Sequence, residues 1–304
     1  MAFSESNLLT ERTSIVNQRR RGTRIAAVSG SLALGRFVRN LAQGLSDTGE
    51  MTAAQTPIPP AVVAKMRRTR RHPRPTQFDY LHIRRLVDDL AAAVTRVAEG
   101  VEDVLDVYCG ARPYDDLLPA GARIIGLDVP GNPYGVADVV SDEFLPFPDE
   151  SFDLVTCIEA FQYVPDPGVG VAEIRRVLRP GGHALVAVPF VCEYDRRILE
   201  HRFTGPELAR LFRGWEDVTV VENGGRAVSW ATTTGSLAGM IQWNLPERRV
   251  LRGLLRPAFA AIYLTVNGVG AVLDRLERRY VDSPATLPMN LLLTARRPSR
   301  VAQA

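Results

Sequence analysis

Cysteine is scarce in this chain of 304 residues: Cys109, Cys157 and Cys192 stand singly, about 35 to 50 residues apart. An odd count without paired spacing excludes a disulfide framework and a zinc site, so no metal is expected and a reducing cytoplasm is the natural setting. Lysine is scarcer still, Lys65 being the single one among 37 basic residues. Arginine carries the positive charge, and unevenly: residues 1–75 hold 13 Arg and Lys against 4 Asp and Glu, a balance of +9, which leaves −6 for the remainder. Aromatic residues are absent from the basic run Lys65 to Arg74, so nothing interleaves it to stack on bases; it reads as a solvated linker and not as a nucleic-acid track. Uninterrupted apolar runs are missing as well. Arg19-Arg20-Arg21 precede the apolar stretch Ile25–Leu34 in the manner of an export signal, but Ser29, Gly30 and Ser31 break it, Arg36 closes it and no small-residue cleavage site follows. No internal repeat is visible.

What is present is globular: 46% hydrophobic and 23% charged residues, on a chain long enough to bury a large core. Residues 1–75 read as a basic, partly disordered extension, with an amphipathic helix over 24–45 and a proline-rich piece at Pro57, Pro59 and Pro60. From Phe78 the pattern changes. Leu81, Ile83, Leu86, Leu90, Val94 and Val97 recur at helical spacing, and Gly100 sits where that helix should stop. Strands follow over 103–107, 123–127, 154–158, 183–188, 218–222 and 291–295, the earlier ones separated by helical stretches such as 171–178. Alternating strands and helices predict an α/β fold, a mostly parallel sheet with helices on both faces.

Chemistry concentrates at the tips of the first two strands. Val104-Leu105-Asp106 runs into the turn Tyr108-Cys109-Gly110, and Gly126-Leu127-Asp128 follows about 20 residues later. In an open α/β sheet a ligand lies across the carboxyl ends of the strands, where a glycine lets backbone approach it. An acid closing the second strand accepts hydrogen bonds from both hydroxyls of a ribose, so Asp128 points to a nucleoside. Dinucleotide-binding proteins share this geometry, but Arg112 and Pro113 stand where a third glycine would bring a pyrophosphate onto a helix N-terminus. Asp106 has two readings, a ligand contact or a buried acid satisfied by backbone donors. Asp153 and the Pro180-Gly181-Gly182 turn read as fold residues, the latter as a helix stop.

The downstream sequence resembles one family. Asp142-Glu143-Phe144-Leu145-Pro146-Phe147-Pro148-Asp149-Glu150-Ser151-Phe152-Asp153-Leu154-Val155 is similar to the segment leading into strand four of class I S-adenosylmethionine-dependent methyltransferases. Tyr163-Val164-Pro165-Asp166-Pro167 resembles the helix entry after that strand, and Arg176-Val177-Leu178-Arg179-Pro180-Gly181-Gly182 the turn before strand five. Cys109-Gly110-Ala111-Arg112-Pro113-Tyr114, Val188-Pro189-Phe190 and Arg202-Phe203-Thr204 further resemble bacterial glycan- and natural-product-modifying members. The likeness covers about 78–230 and resumes at 289–297.

The resemblance implies a Rossmann-like sheet of seven strands, a methyltransferase core over 76–235, an apolar helical insertion over 236–288 and a last strand with tail over 289–304. It implies S-adenosyl-L-methionine as cofactor, with Asp106 and the Tyr108, Cys109, Gly110 turn at the methionine portion. Asp128 would take the ribose, Asp142 and Glu143 would lie beside the adenine, and Glu159 would line the pocket floor. The implied activity is methyl transfer, by preference O-methylation, to a small-molecule, glycan or lipid-linked acceptor. A hydroxyl acceptor needs a general base, for which His201, Asp195 and Glu200 are the candidates. Tyr108 occupies a position where the family usually has glycine; a cofactor-binding scaffold without transfer activity is the alternative this motivates, and an RNA methyltransferase using the basic tail is the other.

Residues 257–273 carry no charge and are flanked by Arg248, Arg249, Arg252 and Arg256 before and Arg275, Arg278 and Arg279 after. The segment is short of a span and interrupted by Asn267, Gly268 and Gly270, which leaves three roles: a helical lid or dimer contact, an element lying on a membrane face, or a true span.

Overall fold

The computed structural model describes residues 57–194, 199–245, 249–283 and 285–299. The expected helix over 24–45 lies outside them. Seven strands form one sheet in the order β3-β2-β1-β4-β5-β7-β6, with β1 Asp103–Val107, β2 Arg123–Asp128, β3 Val139–Val140, β4 Phe152–Ile158, β5 Leu178–Pro189, β6 Glu216–Asn223 and β7 Asn290–Arg296. Six strands share one direction and β7 runs against them, antiparallel to both β5 and β6. The Rossmann-like fold class expected from the sequence is therefore the observed one.

Side-chain alternation builds the two faces. Val104, Leu154, Leu185, Ala187 and Leu292 pack under helix α2, Tyr80–Val97, through Leu86, Leu90, Val94 and Val97. Their neighbours Leu105, Val107, Val155, Cys157, Val186 and Leu293 point the other way, against α3, Pro167–Val177, and α4, Gly205–Leu211. A period of two in the strands and of 3.6 in the helices is all this requires. Asp153 keeps the fold role read for it, at the amino end of the sheet. Its carboxylate accepts from the Glu102 and Asp103 N–H groups at 3.0 and 2.9 Å and pairs with Arg179 at 2.7 Å.

The basic run is not the solvated linker expected. Pro60–Arg71 forms helix α1, begun at a proline that needs no N–H partner and ended by arginines at its negative pole. It is strapped over the tips of the strands: Ile58 N–H donates to the Pro133 carbonyl at 2.8 Å, Arg67 Nε to the Ala111 carbonyl at 2.5 Å, and Arg71 pairs with Asp116 at 2.8 Å. Lys65, Arg68 and Arg74 remain exposed. The linker reading failed because carbonyls and carboxylates of the loop after β1 accept what water would otherwise accept.

Between β6 and β7 the chain makes a helical hairpin of α5, Arg226–Asn244, and α6, Arg249–Tyr280, so the insertion starts earlier than position 236. Asn267, Gly268 and Gly270 do not interrupt α6. Asn267 turns inward and donates to the Pro75 and Gln77 carbonyls at 2.8 and 2.7 Å. At Gly270 an added Cβ would lie 2.6 Å from Ala231 and 2.9 Å from Leu81, so the glycine is where the helices cross most closely.

Candidate functional site

Along the sheet the chain reverses direction at β1: β2 and β3 lie to one side, β4 and β5 to the other. Open α/β sheets bind ligands at that switch, outside the carboxyl ends of the strands. The turn after β1 is built for close approach. Tyr108, Gly110 and Arg112 all take left-handed backbone, at φ of 54°, 55° and 53°. Asp128 ends β2 with no solvent exposure, accepting from the Gly110 N–H at 2.8 Å, the Val129 N–H at 2.8 Å and the Asn132 side-chain amide. Burial raises its pKa, opposed by those donors. Gly126 is small because Cys109 Sγ and the Arg112 side chain fill the space a Cβ would take, at 2.9 and 3.2 Å. Arg112 in turn pairs with Asp115 at 2.8 Å and with Asp138.

Above this turn lie charged groups whose hydrogen-bonding capacity is not filled among the described residues. Arg70, on the last turn of α1, is directed among Tyr114, Asp79, Glu159 and Tyr134, yet among the described residues it makes no hydrogen bond or ion pair. Burial opposes its charge, but the surrounding phenols and carboxylates together raise its pKa. Glu159 follows β4 in left-handed backbone at φ 60°, and its Oε1 is buried without a partner, as is Oδ1 of Asp79. Burial pushes the Glu159 carboxyl up to about 7 against the pull of Arg70 and Arg202. Asp106 is likewise pushed up to about 7 by burial, although Thr156 Oγ donates to it at 2.8 Å. A cavity of about 20 Å³ beside Asp106, Tyr114 and Thr156 has room for one water. Buried polar groups normally find partners, so the unpaired Asp79 and Glu159 oxygens beside an arginine without an ion pair mark a cleft able to take a ligand that carries both charges.

The residues expected from the sequence fall into three groups. Asp106, Tyr108, Cys109, Gly110, Asp128 and Glu159 converge on the strand tips as described. Asp142 and Glu143 lie exposed just beyond β3, which pairs with the end of β2. The base candidates follow β5, where the His201 N–H donates to the Gln162 carbonyl at 2.8 Å, three residues past Glu159. The His201 ring stacks on Phe203 at 5.8 Å and its Nε2 lies 3.3 Å from the Pro165 carbonyl; Glu200 pairs with Arg202 at 2.7 Å; Asp195 lies outside the described residues. Tyr108 tucks its ring against Phe144 at 6.0 Å while its backbone does what a glycine would do. Burial pushes the Cys109 thiol far up, which leaves it inert as a nucleophile. The sequence reading missed Arg70 and Asp79. Their only signal was position, an arginine at the end of a short helix and an acid just before a longer one.

Residues 105–186 match the family model described as a methyltransferase domain. A ubiquinone biosynthesis O-methyltransferase of Aromatoleum aromaticum is 33% identical over 94 residues, 26% of this chain and 40% of that protein. A 2-methyl-6-phytyl-1,4-hydroquinone methyltransferase of Synechocystis sp. is 30% identical over 121 residues, 37% of each chain. The solved phosphoethanolamine N-methyltransferase 2 of Haemonchus contortus superposes with a TM-score of 0.43 at 17% identity, covering 69% of this chain and 53% of that one. The chain spans about two fifths of the length of the first curated relatives it matches.

Proposed function

We propose that this chain is a class I S-adenosylmethionine-dependent methyltransferase that transfers a methyl group to a hydroxyl of a small-molecule acceptor, a reading supported by the match of residues 105–186 to the methyltransferase domain. The observation that carries the proposal is the pairing of unpartnered Arg70 with unpartnered Glu159 beside the Asp128 turn. A cofactor with a carboxylate, an ammonium and a ribose fits that set. Arg70 would hold the carboxylate, Glu159 and Asp106 the ammonium, and Asp128 the sugar hydroxyls. S-adenosylmethionine supplies the electrophilic methyl on its sulfonium. The protein's part is to hold donor and acceptor in line and to exclude water, which accounts for about 7–11 kcal/mol of barrier where alignment is good. His201 is the base we favour. In the tautomer whose Nε2–H faces the Pro165 carbonyl, Nδ1 is left to accept a proton, whereas Glu200 is already engaged by Arg202. An RNA acceptor is less well supported, because Arg67, Arg70 and Arg71 are turned onto the protein itself.

Two measurements test this. Calorimetry with S-adenosylhomocysteine should show binding that Arg70→Ala and Asp128→Ala each weaken roughly 10- to 100-fold, the range for losing a charge-assisted hydrogen bond. Labelled-methyl incorporation into extract fractions, with His201→Ala binding cofactor normally but turning over poorly, tests transfer; full affinity without incorporation into any fraction refutes it.

A further inference from the structure

We propose that the outward face of the α5–α6 hairpin is a docking surface for an anionic lipid bilayer. After Arg226, α5 carries no charged residue, and it exposes Leu237, Met240, Ile241 and Trp243. On α6, Leu254, Leu264, Val269 and Val272 are likewise exposed, at 71%, 53%, 44% and 53%. Exposed apolar surface on this scale, spread over two adjacent helices, marks an interaction site.

Charge says which partner. Within Leu254–Tyr280 the acids are Asp274 and Glu277, and both point inward. Asp274 is buried against Arg85 at 2.5 Å, and Glu277 accepts from the Arg226 and Ala227 N–H groups at 3.0 and 2.9 Å, capping α5. Outward charge on the same stretch is arginine alone: Arg256 at its start, Arg275 and Arg279 at its end. An apolar band with cations at its ends complements the acyl boundary and the anionic headgroups of a bilayer. A second copy fits poorly, since a two-fold contact would set this face against itself, arginine against arginine with no outward acid to answer.

Leu254–Tyr280 is 27 residues long and holds an 18-residue window of mean hydropathy 1.3, long enough to cross a membrane. Its inner face forbids that. Asn267 is bonded to the chain before α2 and Asp274 to Arg85 on α2, so the helix is held flat on the protein and presents only its outer half. Ser236 Oγ donates to Glu193 at 2.7 Å, which ties the hairpin to the loop after β5, so docking would bring the strand tips to the lipid surface.

The test is flotation of the full chain with vesicles of phosphatidylcholine alone or of phosphatidylcholine with phosphatidylglycerol. Binding is expected to the phosphatidylglycerol vesicles at low salt and to fall as salt rises. Arg256→Glu, Arg275→Glu and Arg279→Glu should each weaken it by about fivefold or more. Leu264→Asp with Val269→Asp should abolish it while the thermal melt and cofactor affinity stay unchanged. Three results overturn the proposal. One is no flotation at low salt. Another is flotation indifferent to these substitutions, which assigns binding to the arginine-rich residues before position 57. The last is a dimer in sedimentation that Leu264→Asp disperses without any lipid shift.

Discussion

Tyr108 and Glu159 hold a backbone conformation that side chains rarely adopt, on either side of the same cleft. Left-handed backbone costs an ordinary residue roughly 1–2 kcal/mol and a β-branched one more, and such strain gathers where function needs a fixed geometry. Tyr108→Val should therefore destabilise the protein by about 1–3 kcal/mol in urea unfolding, while Tyr108→Gly recovers part of the backbone cost and loses the ring contact to Phe144. Glu159 makes a second prediction, on pH. Its pKa is raised from 4.5 to about 7, so the folded chain keeps a proton that the unfolded chain gives up earlier. Folding stability from this group is whole below pH 4.5 and is lost as pH rises through about 7. Buried His82, lowered to about 3 by burial and Arg70, has the opposite slope, its stability being lost as pH falls from 6.5 toward 3. The two overlap in wild type, so the difference between Glu159→Gln and wild type is the clean measurement. The variant's advantage should grow from pH 4.5 to about 7 and then level off. Asp128 was legible as a candidate because an acid at a strand end with a glycine turn before it is a pattern in one dimension. Arg70 was not, since a guanidinium in a basic run looks the same whether it faces water or a pocket.

At the scale of elements, the strands were legible where side chains alternate between two buried faces and illegible where glycines disturb them. The β5 strand begins at Leu178 and not at His183, because Leu178 already pairs with Phe152 before the register shifts over Arg179–Gly182. Gly182 admits that irregularity: an added Cβ would stand 2.9 Å from both the Arg179 and Asp153 carbonyl oxygens. The same arithmetic explains why α6 was misjudged. Asparagine and glycine looked like breaks, but one is an inward hydrogen-bond donor and the other a crossing point. Gly270→Val should force α5 and α6 apart at Ala231, costing about 1–3 kcal/mol or more by overpacking, and should show as enhanced amide exchange confined to the hairpin.

For the whole molecule, the sheet order follows from one reversal at β1, and the cofactor cleft follows from the order. A ligand that binds only the folded state stabilises it by mass action. With S-adenosylhomocysteine at a hundredfold excess over Kd, the gain is about 2.7 kcal/mol, or roughly 4 °C in melting temperature for a chain of this size. Asp128→Ala should show little of that rise; an equal rise in the variant would separate the acid from the ligand.

One consequence of α1 concerns where this protein can be cut. The family match begins at residue 105, yet a side chain proposed to grip the cofactor belongs to residue 70, upstream of every strand. A chain begun at Phe78 would keep every strand and the helices packed on the sheet and still look intact by circular dichroism, but it would have left part of its own binding site behind.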